Sequence, residues 1–185
     1  MPARLARASW RNHLKLQSME IKKVAKGEFV QKPDELKHKI IHVVTGLLRM
    51  YLVDDDGKEH IYMFAPEGWT LSDFAAIAES KKSIFYIDAI ENSQIEIITK
   101  GIDEKIPRTL DEYTDQTIEM MGRRIATLQN RVVMLLSFSA LDRYKQFIVT
   151  YPDIVNRVPQ RMIASYLGIT PQALSKIRGQ KNTKR

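Results

Sequence analysis

The chain has 185 residues, with 29 basic against 22 acidic side chains, a formal net charge of +7, 44% hydrophobic and 28% charged residues. That length and balance suit one or two small hydrophobic cores. The absence of cysteine excludes disulfides, thiolate metal sites, cysteine-held iron–sulfur clusters and thiol catalysis; no apolar run approaches the roughly 20 residues that cross a bilayer, so the sequence reads as soluble and cytoplasmic, with no membrane partner.

Residues 1–18 form a basic N-terminal segment, Arg4, Arg7, Arg11 and Lys15 without an acid, with Leu5, Trp10 and Leu14 between them. The pattern reads as a short surface helix. From residue 19 the texture changes to short runs rich in Ile, Val, Tyr and Phe, and strands are expected at 19–25, 28–32, 39–45, 47–53, 60–64, 83–89 and 94–99. Asp54-Asp55-Asp56-Gly57 supplies hairpin chemistry, because Asp and Gly accept positive φ. One short helix is expected at 71–79. Strands this short and regular predict an antiparallel barrel or sandwich.

Residues 109–137 form the one long helical stretch, with Thr109 as cap and Asp111 and Glu112 in the first turn. Ile118, Ile125 and Val132 fall at heptad position a, and Met121, Leu128 and Leu135 at d. β-branched residues at a with mostly Leu at d favour a parallel two-stranded coiled coil, so these six are the expected interface of a homodimer. A core helix packed on its own barrel is the competing account. Next, Ser139 caps a helix whose expected apolar face is Leu141, Tyr144, Phe147 and Ile148, closed by Pro152.

The last segment reads as helix, tight turn, helix. Pro159 opens the first at its first helical position, Met162, Ile163, Tyr166 and Leu167 recur at helical spacing, and Gly168 stops it in the left-handed region. Thr170 caps the second helix, with Pro171 at its first position. Leu174 and Ile177 face Ile163, Ala164, Leu167 and Ile169, while Gln172, Ser175 and Lys176 project together from the other side, at the spacing by which a recognition helix presents hydrogen-bonding groups to a major groove. A hairpin that only completes a core is the bland alternative. Charge favours the sharper one: Arg157, Arg161, Lys176, Arg178, Lys181, Lys184 and Arg185 meet no acid after residue 156, so the whole net charge of +7 lies there.

Several stretches carry a family resemblance: Lys26-Gly27-Glu28-Phe29, Thr45-Gly46-Leu47-Leu48-Arg49-Met50-Tyr51, Asp56-Gly57-Lys58-Glu59-His60, Phe64-Ala65-Pro66-Glu67-Gly68-Trp69, Ser139-Ala140-Leu141-Asp142-Arg143-Tyr144, and Ile163 through Pro171. In this order and spacing the chain resembles the Crp/Fnr family of bacterial transcription regulators. The resemblance implies an α+β fold: an N-terminal antiparallel β-roll, of double-stranded β-helix or jelly-roll type and similar to cyclic-nucleotide-binding domains, over 19–108; a long dimerisation helix over 109–137; and a C-terminal helix-turn-helix DNA-binding domain over 138–185. It assigns double-stranded DNA to Arg157, Arg161, Thr170, Gln172, Ser175, Lys176 and Arg178. Family members often read DNA with Glu, then Ser and Arg three and four residues on; Gln172, Ser175 and Lys176 stand there, so a different site is expected.

Members that bind cyclic AMP grip it with a Gly-Glu pair and a later Arg-Ser or Arg-Thr pair. Gly68, Trp69, Thr70, Lys82 and Ser83 occupy the corresponding region, without the glutamate after Gly68 and with Lys82 for the arginine. These departures argue against cyclic AMP and leave another small-molecule effector, or none. His38 and His42 stand four apart without a third ligand, an ordinary strand pair rather than a metal site, while haem through His13, His38, His42 or His60 stays open. No cofactor is identified and no catalytic constellation stands out, so an enzyme is not expected. The reading is a homodimeric, sequence-specific regulator on a near-palindromic site, touching RNA polymerase if it activates. The alternative is a ligand-sensing β-roll acting through protein contacts.

Overall fold

A computed structural model describes residues 19–35, 38–98 and 115–182. The expected N-terminal segment and the start of the long helix at Thr109, Asp111 and Glu112 lie outside those residues. The described chain divides into two compact units, one of strands and one of helices, with Glu59–Ile61 and the chain from Glu119 onward in the helical one. The long helix, expected as a segment of its own, thus groups from Glu119 with the helix-turn-helix.

The first unit is the expected antiparallel roll. Its strands are β1 (Met19–Val24), β2 (Phe29–Gln31), β3 (Ile40–Thr45), β4 (Leu48–Val53), β5 (Glu59–Ala65), β6 (Thr70–Leu71), β7 (Tyr86–Ala89) and β8 (Ser93–Ile98). They form two four-stranded sheets, β1-β8-β3-β6 and β2-β7-β4-β5. The inward residues of both sheets, among them Val24, Ile41, Val43, Leu48, Met50, Ile87, Ile95 and Ile97, make one core. The strand ends lie within one residue of expectation except that β7 starts at Tyr86 rather than Ser83, and the elements near residue 70 also differ. Thr70 and Leu71 pair with His42 and Ile41 as β6, so the short helix α1 (Phe74–Glu79) starts later, where the Asp73 carboxylate accepts from Ala76 N.

Local turn chemistry sets the connections. Asp54 Oδ1 accepts from Asp56 N at 3.2 Å and Lys58 N at 2.9 Å, and Gly57 takes φ 77°, closing the expected hairpin. At the β3–β4 turn the glycine is obligatory for two reasons. Gly46 has φ +94°, and a Cβ there would stand 2.3 Å from Ser93 Oγ and 2.7 Å from Ser93 Cα.

On the face of β4 and β7 away from this core, Arg49 opposes Asp88 and Tyr51 opposes Tyr86. Arg49 Nε and Nη2 reach the two Asp88 oxygens at 2.7 and 2.9 Å, with side chains only 8% and 9% exposed. The guanidinium also lies 4.0 Å from the Tyr51 ring centroid, and Tyr51 stacks on Tyr86 at 5.2 Å. The planar fork satisfies both carboxylate oxygens, which a lysine could not do.

The second unit holds α2 (Asp115–Ser137), α3 (Ala140–Thr150), α4 (Gln160–Leu167) and α5 (Pro171–Asn182). Ser139 caps α3 as expected, accepting from Asp142 N at 3.2 Å. The Lys145 ammonium, and then the Ser139 hydroxyl, hold the Asp142 carboxyl below its ordinary pKa. Tyr144 and Phe147 are buried, but Leu141 is 38% exposed, so the core face of α3 is narrower than the sequence suggested. Instead Tyr151 and Ile154, beyond the helix, complete the core. Phe147, Tyr151 and Tyr166 form a triangle of rings with centroids 5.3 to 5.6 Å apart.

Because the Arg49–Asp88 pair is buried, removing one member strands the other. Asp88→Ala is expected to lower the unfolding free energy by about 3–5 kcal/mol, read from denaturant titration.

Candidate nucleic-acid interface

α4 starts after Pro159, whose φ of −56° and ψ of 139° make it the residue before the helix rather than its expected first position. The extended ψ puts Pro159 outside, yet its carbonyl accepts from Met162 N at 2.9 Å and starts the hydrogen-bond series. The helix ends as expected at Gly168, with φ 65° and ψ 36°, its N–H bonded to the carbonyls of Ala164 and Ser165. Ile169 N then returns to Ala164 O at 3.0 Å. Thr170 Oγ1 accepts from Ala173 N at 3.1 Å, and α5 begins at Pro171. It runs on through Gly179 to Asn182.

Packing fixes which side of α5 is free. Leu174 (0% exposed) and Ile177 (8%) join Ile163, Ala164 and Leu167 in the core. Gln172, Ser175 and Lys176 are exposed at positions i, i+3 and i+4, with Arg161 and Thr170 also exposed and Arg157 and Arg178 half-buried. The Thr170 oxygen accepts one bond at the cap, which leaves its O–H proton to donate. Gln172 offers a donor and an acceptor side by side, the pattern that matches adenine N6 and N7; Lys176 offers a cation for guanine O6 and N7 or for phosphate. No acidic residue follows Asp153, so nothing anionic from this segment opposes a phosphate.

α2 carries an apolar face that the described residues leave exposed. Ile125 (58% exposed), Leu128 (42%), Val132 (54%), Val133 (52%) and Leu136 (80%) are spaced three, four or one apart along it. Ile125, Leu128, Val132 and Val133, with Gln129, line a shallow groove. Leu135 departs from the expected seam: it is half-buried, and its Cδ2 comes within 3.5 Å of where a Cβ on Gly168 would stand. A straight helix drifts from a strict heptad, and over eleven residues Ile125 and Leu136 return to one side, so Val133 and Leu136 extend the stripe where Leu135 was expected. The side chains of Ile118 and Met121 lie outside the described residues.

The five ligand candidates of the roll do not form a free polar cradle. Gly68 N–H donates to Val43 O at 2.8 Å, and the Trp69 carbonyl accepts from Val43 N at 2.9 Å, so both serve the sheet edge. Thr70 Oγ1 is 3.3 Å from His42 Nδ1. Lys82 is exposed, its Nζ 3.8 Å from Asp34. Ser83 is 5% exposed, and its hydroxyl accepts from Gln31 Nε2 at 2.8 Å and Phe85 N at 3.2 Å while donating to Asp73 Oδ2 at 2.8 Å. One hydroxyl has one proton and two lone pairs, so Ser83 has nothing left for a phosphate. These residues do not fit a cyclic nucleotide. Sequence reasoning missed Asp73 and Gln31; the readable signal was an Asp directly before an apolar helix, the usual place of a cap. Among the described residues no group of three or more His, Cys, Asp or Glu could hold a metal ion, and no helix is long and apolar enough to cross a membrane.

A β-roll unit followed by a helical unit with an exposed apolar helix face and a basic helix-turn-helix defines an architecture shared with solved regulators. FixK2 from Bradyrhizobium japonicum matches with a TM-score of 0.73 at 17% identity, over 91% of this chain and 86% of that one. A transcriptional regulator of the CRP/FNR family from Thermus thermophilus matches with a TM-score of 0.65 at 14% identity, over 89% and 87%. In sequence, electron transport regulator A of Shewanella oneidensis is 23% identical in an alignment of 173 positions that covers 86% of this chain and 67% of that protein. No family model matches the chain. The chain has the Crp/Fnr fold, and the resemblance carried by its motifs holds in both sequence and structure.

Removing the shared hydroxyl of the roll exposes how much the Gln31–Ser83–Asp73 bridge holds. Ser83→Ala leaves the buried Asp73 oxygen without that donor and is expected to cost about 1–3 kcal/mol in thermal or denaturant unfolding.

Proposed function

We propose that this protein is a homodimeric, sequence-specific DNA-binding transcription regulator of the Crp/Fnr type. The observation that carries the reading is the exposed trio Gln172, Ser175 and Lys176 on a helix held by a buried partner face, in a segment without acids. Two copies of α5 would enter successive major grooves, about 34 Å apart on a near-palindromic site. Gln172 and Lys176 would read bases, with Ser175 between them, while Arg157, Arg161 and Arg178, with the Thr170 hydroxyl, would hold phosphates and set the register. Dimerisation would use the exposed stripe of α2 from Ile125 to Leu136, whose burial against a second copy removes large aliphatic side chains from water. The roll is read as a sensor that does not take cyclic AMP, because Ser83 and Asp73 are already bonded to each other.

Selection of bound sequences from random duplex DNA tests this directly. The wild type is expected to enrich a two-fold symmetric motif. Gln172→Ala and Lys176→Ala should each relax one position of each half-site at a cost of about 1–3 kcal/mol, whereas Arg161→Ala should weaken all sequences alike and lower the salt slope by about 1. Enrichment of no motif by the wild type at modest salt would overturn the reading.

The dimer has its own test. A carboxylate placed in the stripe must be desolvated on association, so Val132→Asp is expected to shift sedimentation from dimer to monomer while leaving the unfolding midpoint of the roll unchanged.

A further inference from the structure

Arg143 belongs to the first turns of α3, and its guanidinium donates to three carbonyls from three segments. Nη2 reaches Leu135 O at 2.8 Å, Nε reaches Phe138 O at 3.1 Å, and Nη1 reaches Leu167 O at 3.0 Å. Leu135 is in the last turn of α2, Phe138 is in the α2–α3 connection, and Leu167 is the last residue of α4. The final four carbonyls of any helix have no partner within it, and the C-terminal end of the helix dipole favours a cation. Arg143 answers that demand for two helices at once. A Cβ on Gly168 would lie 3.5 Å from Nη1 and 3.5 Å from Leu135 Cδ2, so the guanidinium rests against the turn itself.

Building on the dimeric DNA-binding reading above, we propose that Arg143 is a positioning residue for operator recognition, fixing the angle between the apolar stripe of α2 and the reading face of α5 and thereby the half-site spacing that a dimer accepts. The turn at Gly168 to Thr170 joins α4 to α5 without slack, so where the end of α4 is held, α5 is aimed. Arg131 of α2 adds a second tie in the same place, Nη2 donating to Tyr166 O at 3.3 Å with its guanidinium carbon 3.9 Å from the Tyr166 ring centroid. Arg143 differs in reaching both the end of α2 and the turn. Three of its five N–H donors go to backbone carbonyls at the helix ends, away from the reading face of α5, so its loss should leave base preference within each half-site intact and blur the distance between half-sites.

The test uses the full chain and a set of duplexes carrying the selected half-site twice, at separations that step by one base pair. The wild type should bind one separation best, and Lys176→Ala should bind more weakly at every separation with the same optimum. Arg143→Ala should lose about tenfold or more of the preference for that separation over its neighbours, with unchanged bases selected inside each half-site. Arg143→Lys, which can serve one carbonyl in place of three, should fall between. Melting curves accompany each variant; if Arg143→Ala does not fold, the comparison of Arg143→Lys with the wild type decides. A spacing preference as sharp in the folded Arg143 variants as in the wild type overturns the positioning role and leaves the DNA-binding reading standing. A wild type that selects no motif removes that reading, and the positioning role with it.

Discussion

A carbonyl left bare at the end of a buried helix is costly, and the helical unit is arranged around meeting that cost where α4 turns into α5. Gly168 adopts φ 65° and returns its own N–H into the last turn. Ile169 N returns to Ala164 O. Arg131 and Arg143 then take Tyr166 O and Leu167 O from outside the helix. Every route by which the end of α4 could loosen is closed by a backbone or guanidinium donor. The tight turn between the two helices is therefore held from both sides, and α5 starts from that held end.

The distribution of charge does a separate job. All acids of the chain precede residue 154, and the segment after it holds seven basic residues. Coulomb attraction to phosphate is long-ranged and insensitive to base sequence, whereas Gln172 and Lys176 act only at hydrogen-bond distance. On the proposed reading, the same helix would be drawn to any duplex and still discriminate among duplexes. Gln172, in place of a carboxylate, both donates and accepts without repelling phosphate. Lys176 supplies a point charge in place of a planar fork, so a base contact from it would be less directional than one from an arginine.

The elements that were readable from the sequence are those governed by local chemistry. The caps at Ser139 and Thr170, the stop at Gly168 and the hairpin at Asp54 to Gly57 each depend on neighbours within four residues, and each stands where those neighbours put it. Pro159 fell one position short because a first-turn proline and a preceding one differ only in ψ. Pairings across long sequence separations were not readable. Arg49 meets Asp88 from 39 residues away, and Gln31 meets Ser83 from 52. Leu135 was assigned by periodicity to an outward seam. Periodicity is blind to the turn at Gly168, which that leucine packs beside.

In the roll, the polar groups at the candidate ligand residues are bonded to one another. A cyclic nucleotide needs donors for its phosphate and an acceptor for its ribose hydroxyl, held ready and unspent. Here the hydroxyl of Ser83 is bonded three ways and the carboxylate of Asp73 divides itself between that hydroxyl and the cap of α1. A buried polar network that is fully satisfied stabilises its surroundings, while one that is half satisfied destabilises them. The Gln31 amide completes this one: by donating to Ser83 it links β2 to the segment before β7. A polar effector entering at this point would have to break those bonds before making its own.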